Sequence, residues 1–216
     1  MYDTIFTLCG GLMKVLLFGD SITAYIPKDK LNMDWSYNLK KNIENGNDNY
    51  TFYNCGIENY TTEYLRKTFA RVDTTHYNKI ICQFGINDFI MPYQDEDYTK
   101  KTPEQIYNSI VSLLGYIITT SGKTVALQSL YPATNGISTP SVDICYVNTK
   151  LATFCKKNNI EYINMYALLG NQNGEYKNGL SDDGLHPNNK GYELVTNMLL
   201  QSCNIKNKLE QNEQSL

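Results

Sequence analysis

Three apolar runs in this chain end abruptly at a glycine that has polar residues beside it. The first run, Lys14–Phe18, is followed by Gly19-Asp20-Ser21. The other two runs end at Asn54-Cys55-Gly56 and at Gly85-Ile86-Asn87-Asp88. Short apolar runs bounded by turn residues are typical of buried strands. The pattern therefore predicts a sheet whose strands end in polar groups.

Helical patterns alternate with these strand patterns along most of the chain. The helix start at Thr102-Pro103-Glu104-Gln105 has a capping threonine and a proline at the first helical position. Because such alternation favours a parallel sheet covered on both faces, we predict an α/β fold. It is a flavodoxin-like three-layer α/β/α sandwich with a central, mostly parallel five-stranded sheet. The predicted strands are Lys14–Phe18, Tyr50–Cys55, Lys79–Phe84, Thr124–Ser129 and Ile160–Ile163, and the predicted helices are Asp34–Asn45, Thr61–Ala70, Thr102–Ser121, Ser141–Lys157 and Lys190–Cys203.

The length of 216 residues suits one domain of this class. We predict an N-terminal extension over residues 1–12, a single domain over residues 13–205 and a polar C-terminal tail over residues 206–216. Met13 is an alternative start of the chain. The polar stretch Met91–Lys101 is predicted to be a loop over the sheet edge, and its part Met91–Tyr98 is a candidate lid.

The charge and the cysteines exclude several classes of function. The 19 Lys and Arg residues are balanced by 22 Asp and Glu residues, so no basic face for nucleic acid is expected. The six cysteines are scattered, with no C-x-x-C pair, and the sequence has no glycine loop for phosphate. We therefore predict no metal site and no cofactor. No segment is long enough to span a membrane, and no basic region precedes the apolar N-terminus, which favours a cytoplasmic location.

The three polar strand ends are predicted to meet at one edge of the sheet. Sites in open α/β sheets form at the carboxyl ends of the strands. Ser21 lies there and is a candidate nucleophile, although Ser21 or Thr23 could simply cap the next helix. Asp20 and Asp88 are expected to hold their loops through backbone N–H groups.

Acyl transfer by a serine also needs a base and an orienting acid. The chain has two histidines, and His76 precedes the third strand at the edge opposite to Ser21. His186 lies in the last loop, which returns to the carboxyl edge, and imidazole exchanges protons near neutral pH. Asp183 is three residues before His186, a spacing that lets its carboxylate reach the ring in a tight turn. Asp182 is the alternative for that role.

Four motifs in this order resemble those of the SGNH (GDSL-type) hydrolases, over nearly the whole chain from Lys14 to about Cys203. The second motif departs from the family at Ile57–Tyr60, where many relatives carry another glycine, and the third has Ile86 where threonine is common. The four motifs are Gly19-Asp20-Ser21-Ile22-Thr23, Asn54-x-Gly56 with Thr61-Thr62, Gly85-x-Asn87-Asp88, and Asp183-x-x-His186-Pro187-Asn188.

The resemblance implies a serine esterase with a triad of Ser21, His186 and Asp183. It assigns the oxyanion hole to the backbone N–H groups of Ser21 and Gly56 and to the side-chain amide of Asn87. Glycine suits the second position if the backbone must approach the substrate closely.

The family includes carbohydrate O-deacetylases, lysophospholipases, thioesterases and hydrolases of small esters. The chain has no long apolar insertion to form an acyl tunnel, so we expect short acyl groups, such as acetyl, on a carbohydrate or a small molecule. The 18 tyrosines offer flat surfaces that suit sugars, but they are also ordinary core and surface residues. The alternatives are a lysophospholipase or thioesterase of the same family, and a flavodoxin-like binding domain without catalysis. The oligomeric state is not predicted.

Overall fold

The computed structural model describes residues 13–24, 50–133 and 141–213. The predicted helix Asp34–Asn45 and the predicted extension over residues 1–12 lie outside these residues. The strands are β1 (Met13–Gly19), β2 (Tyr50–Gly56), β3 (Lys79–Gln83), β4 (Thr124–Gln128) and β5 (Glu161–Ile163). The helices are α1 (Ser21–Ala24), α2 (Thr62–Phe69), α3 (Asn87–Gln94), α4 (Pro103–Ser121), α5 (Ser141–Lys157), α6 (Met165–Leu169) and α7 (Asn189–Glu213).

The five strands form one sheet in which every pairing is parallel, in the order β2-β1-β3-β4-β5. The predicted α/β fold with a five-stranded parallel sheet is thus confirmed. The interior strand β1 is buried from Val15 onward because it has a strand on each side and apolar residues above and below. Its last residue, Gly19, is in register with Gly56 of β2 and with Gln83 of β3. This register brings the three polar strand ends side by side.

Local sequence rules account for the long helix α4. The Thr102 side chain accepts a hydrogen bond from the backbone of Gln105, whose own side chain bonds back to the Thr102 backbone, which forms a capping box. Gly122 ends the helix in a left-handed conformation, with φ of 62°. The side chains that α4 buries recur at helical spacing: Ile106, Ile110, Leu113, Leu114 and Ile117. Within the described ranges, no helix is both long enough and apolar enough to cross a membrane.

Three elements differ from the sequence prediction. Residues 91–94, predicted as loop, belong to α3, because Phe89, Ile90 and Met91 are buried and draw the segment onto the core. Pro92 removes one helical hydrogen bond, and the helix ends two residues later. Helix α7 continues to Glu213 through much of the predicted tail, which contains no glycine or proline to stop it. The five-residue helix α6 was too short to show a periodic pattern.

Candidate active site

The turn between β1 and α1 holds Ser21 in a fixed position. The Asp20 backbone N–H donates to the Gln83 carbonyl of β3 (3.2 Å), and the Asp20 carboxylate accepts the Ile22 backbone N–H (3.0 Å). Asp20 therefore caps α1, whereas the sequence suggested Ser21 or Thr23 for this task. The Thr23 hydroxyl donates instead to the Gln83 side chain (2.9 Å). Because Asp20 makes the cap, the Ser21 hydroxyl is available for another partner.

That partner is the ring of His186. Ser21 Oγ lies 2.9 Å from His186 Nε2, and His186 Nδ1 lies 2.7 Å from Asp183 Oδ2. Ser21 is buried, the His186 side chain is 16% exposed and that of Asp183 is 52% exposed. The three side chains thus form a continuous hydrogen-bonded chain that runs from the end of β1 to the surface.

The loop before α7 holds Asp183 against its own backbone. Its Oδ1 accepts the backbone N–H groups of Leu185 and His186, each at 2.8 Å. Partial burial alone would raise the pKa of the Asp183 carboxyl, but the hydrogen bonds from the His186 side chain and from these two amides outweigh it. The net effect is a pKa below the usual value for aspartate, so this carboxylate remains ionised at neutral pH.

The two rival residues lie elsewhere. The Asp182 carboxylate accepts the side-chain amide of Asn188 (2.8 Å), and it is the Asp183 carboxylate that contacts His186 Nδ1. His76 is exposed in the turn before β3 and pairs with Asp73 at 3.7 Å. The turn holding His76 precedes the amino end of β3, and Ser21 follows the carboxyl end of β1, so the parallel sheet separates them.

Two donors predicted for an oxyanion hole are available in the described part of the chain. The Ser21 backbone N–H has no acceptor among the described residues. Asn87 is buried at the first position of α3, and its Nδ2 donates to the Tyr60 carbonyl (3.1 Å). A primary amide carries two N–H bonds, so one remains for a ligand. Asn87 does not cap α3, whose N-cap position is Ile86.

The third predicted donor, the backbone N–H of Gly56, has an acceptor within the chain in this structure. This N–H donates to Oδ1 of Asn54 (2.9 Å), and Asn54 Nδ2 donates to the Thr23 carbonyl (2.7 Å). A Cβ atom at position 56 would lie 2.2 Å from the backbone nitrogen of Ala24. Glycine is therefore needed here because α1 packs directly on the end of β2, and its N–H is already used within the chain.

The profile of the GDSL-like Lipase/Acylhydrolase family matches residues 17–194, from within β1 to within α7. The chain belongs to this family. The match includes the Ser21 turn, Asn87 and the loop of Asp183 and His186. Among curated proteins, none matches the chain.

Solved structures share the fold of this GDSL-like acylhydrolase. A lipase/acylhydrolase from Enterococcus faecalis has a TM-score of 0.71 at 23% identity, covering 88% of this chain and 94% of that one. An acetyl xylan esterase, AlAXEase, has a TM-score of 0.67 at 17% identity, covering 88% and 99%. The esterase EstA from Pseudoalteromonas sp., inhibited by monoethylphosphonate, has a TM-score of 0.64 at 19% identity, covering 91% and 98%.

The departures from the family pattern have simple structural explanations. Asn59 is left-handed, with φ of 62°, in the segment where many GDSL relatives carry a glycine. Asparagine tolerates this conformation better than most residues, so the turn is kept without glycine. Ile86 is fully buried at the start of α3, where an apolar side chain suits the core.

The sequence patterns did not reveal all of the buried side chains whose hydrogen bonds hold the elements of the candidate site together. Gln83 is buried and accepts the Thr23 hydroxyl, and its presence in an otherwise apolar strand was the signal that could have revealed it. The buried Asp88 carboxylate binds the Thr62 N–H (2.9 Å), the Thr62 hydroxyl (2.8 Å) and Lys101 Nζ (2.6 Å). The prediction that Asp88 holds its loop agrees with these contacts, but nothing local in the sequence pointed to Lys101.

Asp20 gives this acylhydrolase a pH-dependent stability. Burial raises the pKa of its carboxyl to about 7, against the lowering effect of the Ile22 amide, and its Oδ2 has no partner among the described residues. In the unfolded chain an aspartate titrates near pH 4. The folded state therefore binds this proton more tightly, and the stability it contributes is complete below about pH 4 and is lost as the pH rises through 7.

We expect the free energy of unfolding of the wild type to fall relative to that of Asp20→Asn between pH 4.5 and 7.5. The asparagine keeps the acceptor for Ile22 and cannot ionise, and the change across this pH range is about 3 kcal/mol, at about 1.4 kcal/mol per pKa unit. Urea unfolding of both proteins across this pH range measures it, with Glu96→Gln as an exposed control. A difference between wild type and Asp20→Asn that does not change with pH would contradict the prediction.

Proposed function

We propose that this chain is a serine esterase that hydrolyses carboxylic esters, with Ser21 as nucleophile, His186 as base and Asp183 as orienting acid. The observation that carries the proposal is the continuous chain of contacts from Ser21 Oγ through the His186 ring to Asp183. Each link is within hydrogen-bonding distance, and the two ring nitrogens face different partners. This is the arrangement that moves a proton away from a serine hydroxyl.

In the first half of the reaction, Ser21 Oγ bonds to the ester carbonyl carbon and its proton passes to Nε2 of His186. The carbonyl π electrons move to the oxygen, which becomes an anion. The carbon–oxygen bond to the alcohol then breaks, and the alcohol leaves with the proton from His186. Asp183, which stays ionised, stabilises the imidazolium and holds Nδ1 as a donor. An acyl group remains on Ser21, and water removes it by the same steps in the second half.

The negative charge on the carbonyl oxygen needs donors that are already in place. We propose that the Ser21 backbone N–H and the free N–H of the Asn87 side chain supply them. Gly56 would be a third donor only if its N–H exchanged the hydrogen bond to Asn54 for one to the substrate, so catalysis by the other two donors does not depend on it. The buried positions of Ser21 and Asn87 support this assignment, because hydrogen bonds to a developing charge are stronger where water is excluded.

We propose short acyl groups, acetyl above all, as the substrate class. The sequence has no long apolar insertion for a longer chain, and the name of the solved acetyl xylan esterase suggests the same group. We also propose a reducing compartment, since the six cysteines are scattered along the sequence with no C-x-x-C pair.

A panel of esters tests the function. We expect hydrolysis of p-nitrophenyl acetate, with rates falling as the acyl chain lengthens, and stoichiometric labelling by a fluorophosphonate on a peptide containing Ser21. Fastest hydrolysis of long-chain or choline-phosphate esters would favour the lysophospholipase alternative, and fastest hydrolysis of thioesters the thioesterase. If the protein neither hydrolyses any of these esters nor reacts with the fluorophosphonate, the alternative of a binding domain without catalysis would be favoured.

Activity is expected to rise with pH across the weakly acidic to neutral range, because only a neutral imidazole accepts a proton from a serine hydroxyl and imidazoles in general change charge between about pH 5 and 8. The low pKa of Asp183 keeps that carboxylate ionised over this range, so it adds no second step. The pH dependence of kcat/KM for p-nitrophenyl acetate should be the same in His76→Ala as in the wild type. The pH profile of Asp20→Asn should also keep its inflection. If the inflection disappears in Asp20→Asn, Asp20 is the group responsible for it.

A further inference from the structure

A buried tyrosine that has no part in the proposed proton transfer holds the peptide group directly before His186. The Tyr176 hydroxyl donates to the Leu185 carbonyl (2.8 Å), and only 6% of Tyr176 is exposed. The N–H of the same peptide group belongs to His186 and donates to Asp183 Oδ1 (2.8 Å). Because a peptide group is planar, a bond at each end fixes its orientation. The position from which the His186 side chain extends is thereby fixed as well.

The loop that carries Tyr176 is itself tied to the fold. Gly170 and Tyr176 form an antiparallel bridge, and the Lys177 backbone N–H donates to the Leu169 carbonyl at the end of α6 (2.8 Å). Burial raises the pKa of Tyr176 well above its usual value, so its hydroxyl keeps the proton over the whole pH range of an esterase assay. Tyr176 is therefore a fixed donor that is in place before any substrate binds.

A second buried tyrosine connects the helix that follows His186 with the helix that begins at Ser21. Tyr192 lies near the start of α7, where its backbone N–H donates to the Asn188 carbonyl (2.8 Å). Its hydroxyl donates to the Ile22 carbonyl of α1 (2.8 Å), and this bond is buried. Ile22 directly follows Ser21. The bond therefore limits how far Ser21 can move relative to the start of α7, into which the loop of His186 leads.

Neither of the two segments holds its shape by local structure alone. Helix α1 has only four residues, and isolated helices of that length are not stable in water. His186 lies in the loop before α7, outside any helix or strand. The contact between Ser21 Oγ and His186 Nε2 joins residues 165 positions apart in the chain. Its length therefore depends on the bonds that fix both segments to the rest of the fold.

We infer that Tyr176 and Tyr192 are positioning residues that keep His186 Nε2 and Ser21 Oγ at reacting distance, and we call the pair the tyrosine brace. This inference rests on the proposed esterase function and adds two residues to its site. Each hydroxyl acts through a backbone carbonyl and takes no part in proton transfer. A misplacement of about 1 Å in a catalytic group costs on the order of 10²-fold in rate. Loosening the brace should therefore slow the chemical steps and leave substrate binding nearly unchanged.

The kinetic test removes one hydroxyl at a time and keeps both rings in the core. In Tyr176→Phe and in Tyr192→Phe, kcat for p-nitrophenyl acetate should fall about tenfold, less than the loss that a full 1 Å misplacement causes. KM should stay within about twofold of the wild-type value, because the lost positioning affects the transition state. A role in stability alone would lower the thermal midpoint by about 2–4 °C and leave kcat near that of the wild type.

Tyr162→Phe is the matched control for both variants. The Tyr162 hydroxyl also donates to a backbone carbonyl, that of Asn148 (3.2 Å), but Tyr162 lies on β5 at the other edge of the sheet. Its kcat should equal that of the wild type. Wild-type kcat in either Tyr176→Phe or Tyr192→Phe would remove that residue from the brace. Wild-type kcat in both, a rise in KM without a fall in kcat, or an equal loss of kcat in Tyr162→Phe would overturn the inference.

A measurement without substrate separates this inference from the proposed function. The chain has two histidines, so in a His76→Ala background the ring-nitrogen NMR resonances of protein labelled with ¹⁵N-histidine report on His186 alone. These resonances respond to the hydrogen bonds of both ring nitrogens. They should change when Tyr176→Phe is added and stay the same when Tyr162→Phe is added. No change with Tyr176→Phe would overturn the role of Tyr176. If the wild type hydrolyses no ester, the proposed function fails, whereas the resonances still test the brace.

Discussion

Ser21→Ala is expected to lose ester hydrolysis by about a millionfold in kcat, the effect of removing the nucleophile from a serine hydrolase. Ser21 Oγ lies 2.9 Å from the Nε2 atom of His186, which is the position that the proposal gives to the nucleophile. Removing the hydroxyl takes away one hydrogen bond, which stabilises the fold by only about 1 kcal/mol. The folded structure should therefore persist while the chemistry disappears.

The measurement is kcat for p-nitrophenyl acetate together with the thermal midpoint. Ser109→Ala is a matched control, because Ser109 is half-buried on α4 and its hydroxyl donates to the Gln105 carbonyl of the same helix. Comparable activity of Ser21→Ala and wild type, after contamination by wild-type enzyme is excluded, would remove Ser21 from the proposed triad. A loss of activity that accompanies a large fall in the thermal midpoint would instead point to unfolding.

Asn87→Ala should lower kcat far more than it raises KM. Charge develops on the carbonyl oxygen only in the transition state, so the lost hydrogen bond is a transition-state bond. Removing one such donor costs roughly 10²–10³ in kcat, about 3–4 kcal/mol of transition-state stabilisation. Asn87→Asp should be at least as damaging, because a carboxylate repels the developing anion and cannot donate to it.

The competing explanation is that Asn87 only holds the Tyr60 carbonyl. Loss of that bond costs about 1 kcal/mol of stability, which lowers the thermal midpoint of a chain of this size by about 2–4 °C. Asn78→Ala is the control, since it also removes one side-chain bond to a backbone group, the Lys14 N–H, at the opposite edge of the sheet. A lowered midpoint with near-normal kcat in Asn87→Ala would place Asn87 in this structural role.

The elements that the sequence predicts well are those whose causes are local. Helix α4 begins at a capping box between Thr102 and Gln105 and ends at Gly122, and every part of this signal lies within a few residues. Helix α5 has the predicted bounds, Ser141–Lys157. Alternation of such elements is enough to predict the parallel sheet, because parallel strands need a crossover between them.

Elements whose causes are distant were predicted poorly. The stretch from Met91 to Gln94 has a polar, proline-containing sequence, yet it is helical because its neighbours Phe89 and Ile90 are drawn into the core. Lys101, just before α4, forms an ion pair with Asp88 of α3. Their separation in the sequence does not predict this contact. In both cases tertiary packing outweighs the local preference.

Gly56 shows that a glycine in a motif can have more than one physical cause. The motif drew attention to this glycine, and a role as donor to the substrate followed from the resemblance. In the structure the close approach is made by the backbone of α1, and the N–H is held by Asn54. A glycine pattern records that some atom comes near, but it does not identify the atom.

The sequence by itself predicted the α/β class and most of the strands and helices, because hydrophobic periodicity, caps and turn residues are local properties. The candidates Ser21, Gly56, Asn87, Asp183 and His186 followed from the strand ends, the spacing in the last loop and the resemblance to a known family. The tertiary structure alone decided which candidates meet. It placed His186 within 2.9 Å of Ser21, 165 residues earlier in the chain, and turned Asp183 rather than Asp182 toward the ring. The choice between adjacent aspartates depends on the loop conformation that Leu185 and His186 impose through their backbone N–H groups. The Ser21 hydroxyl likewise is not needed for the helix cap, because Asp20, held to β3 by its backbone N–H, accepts the Ile22 N–H instead.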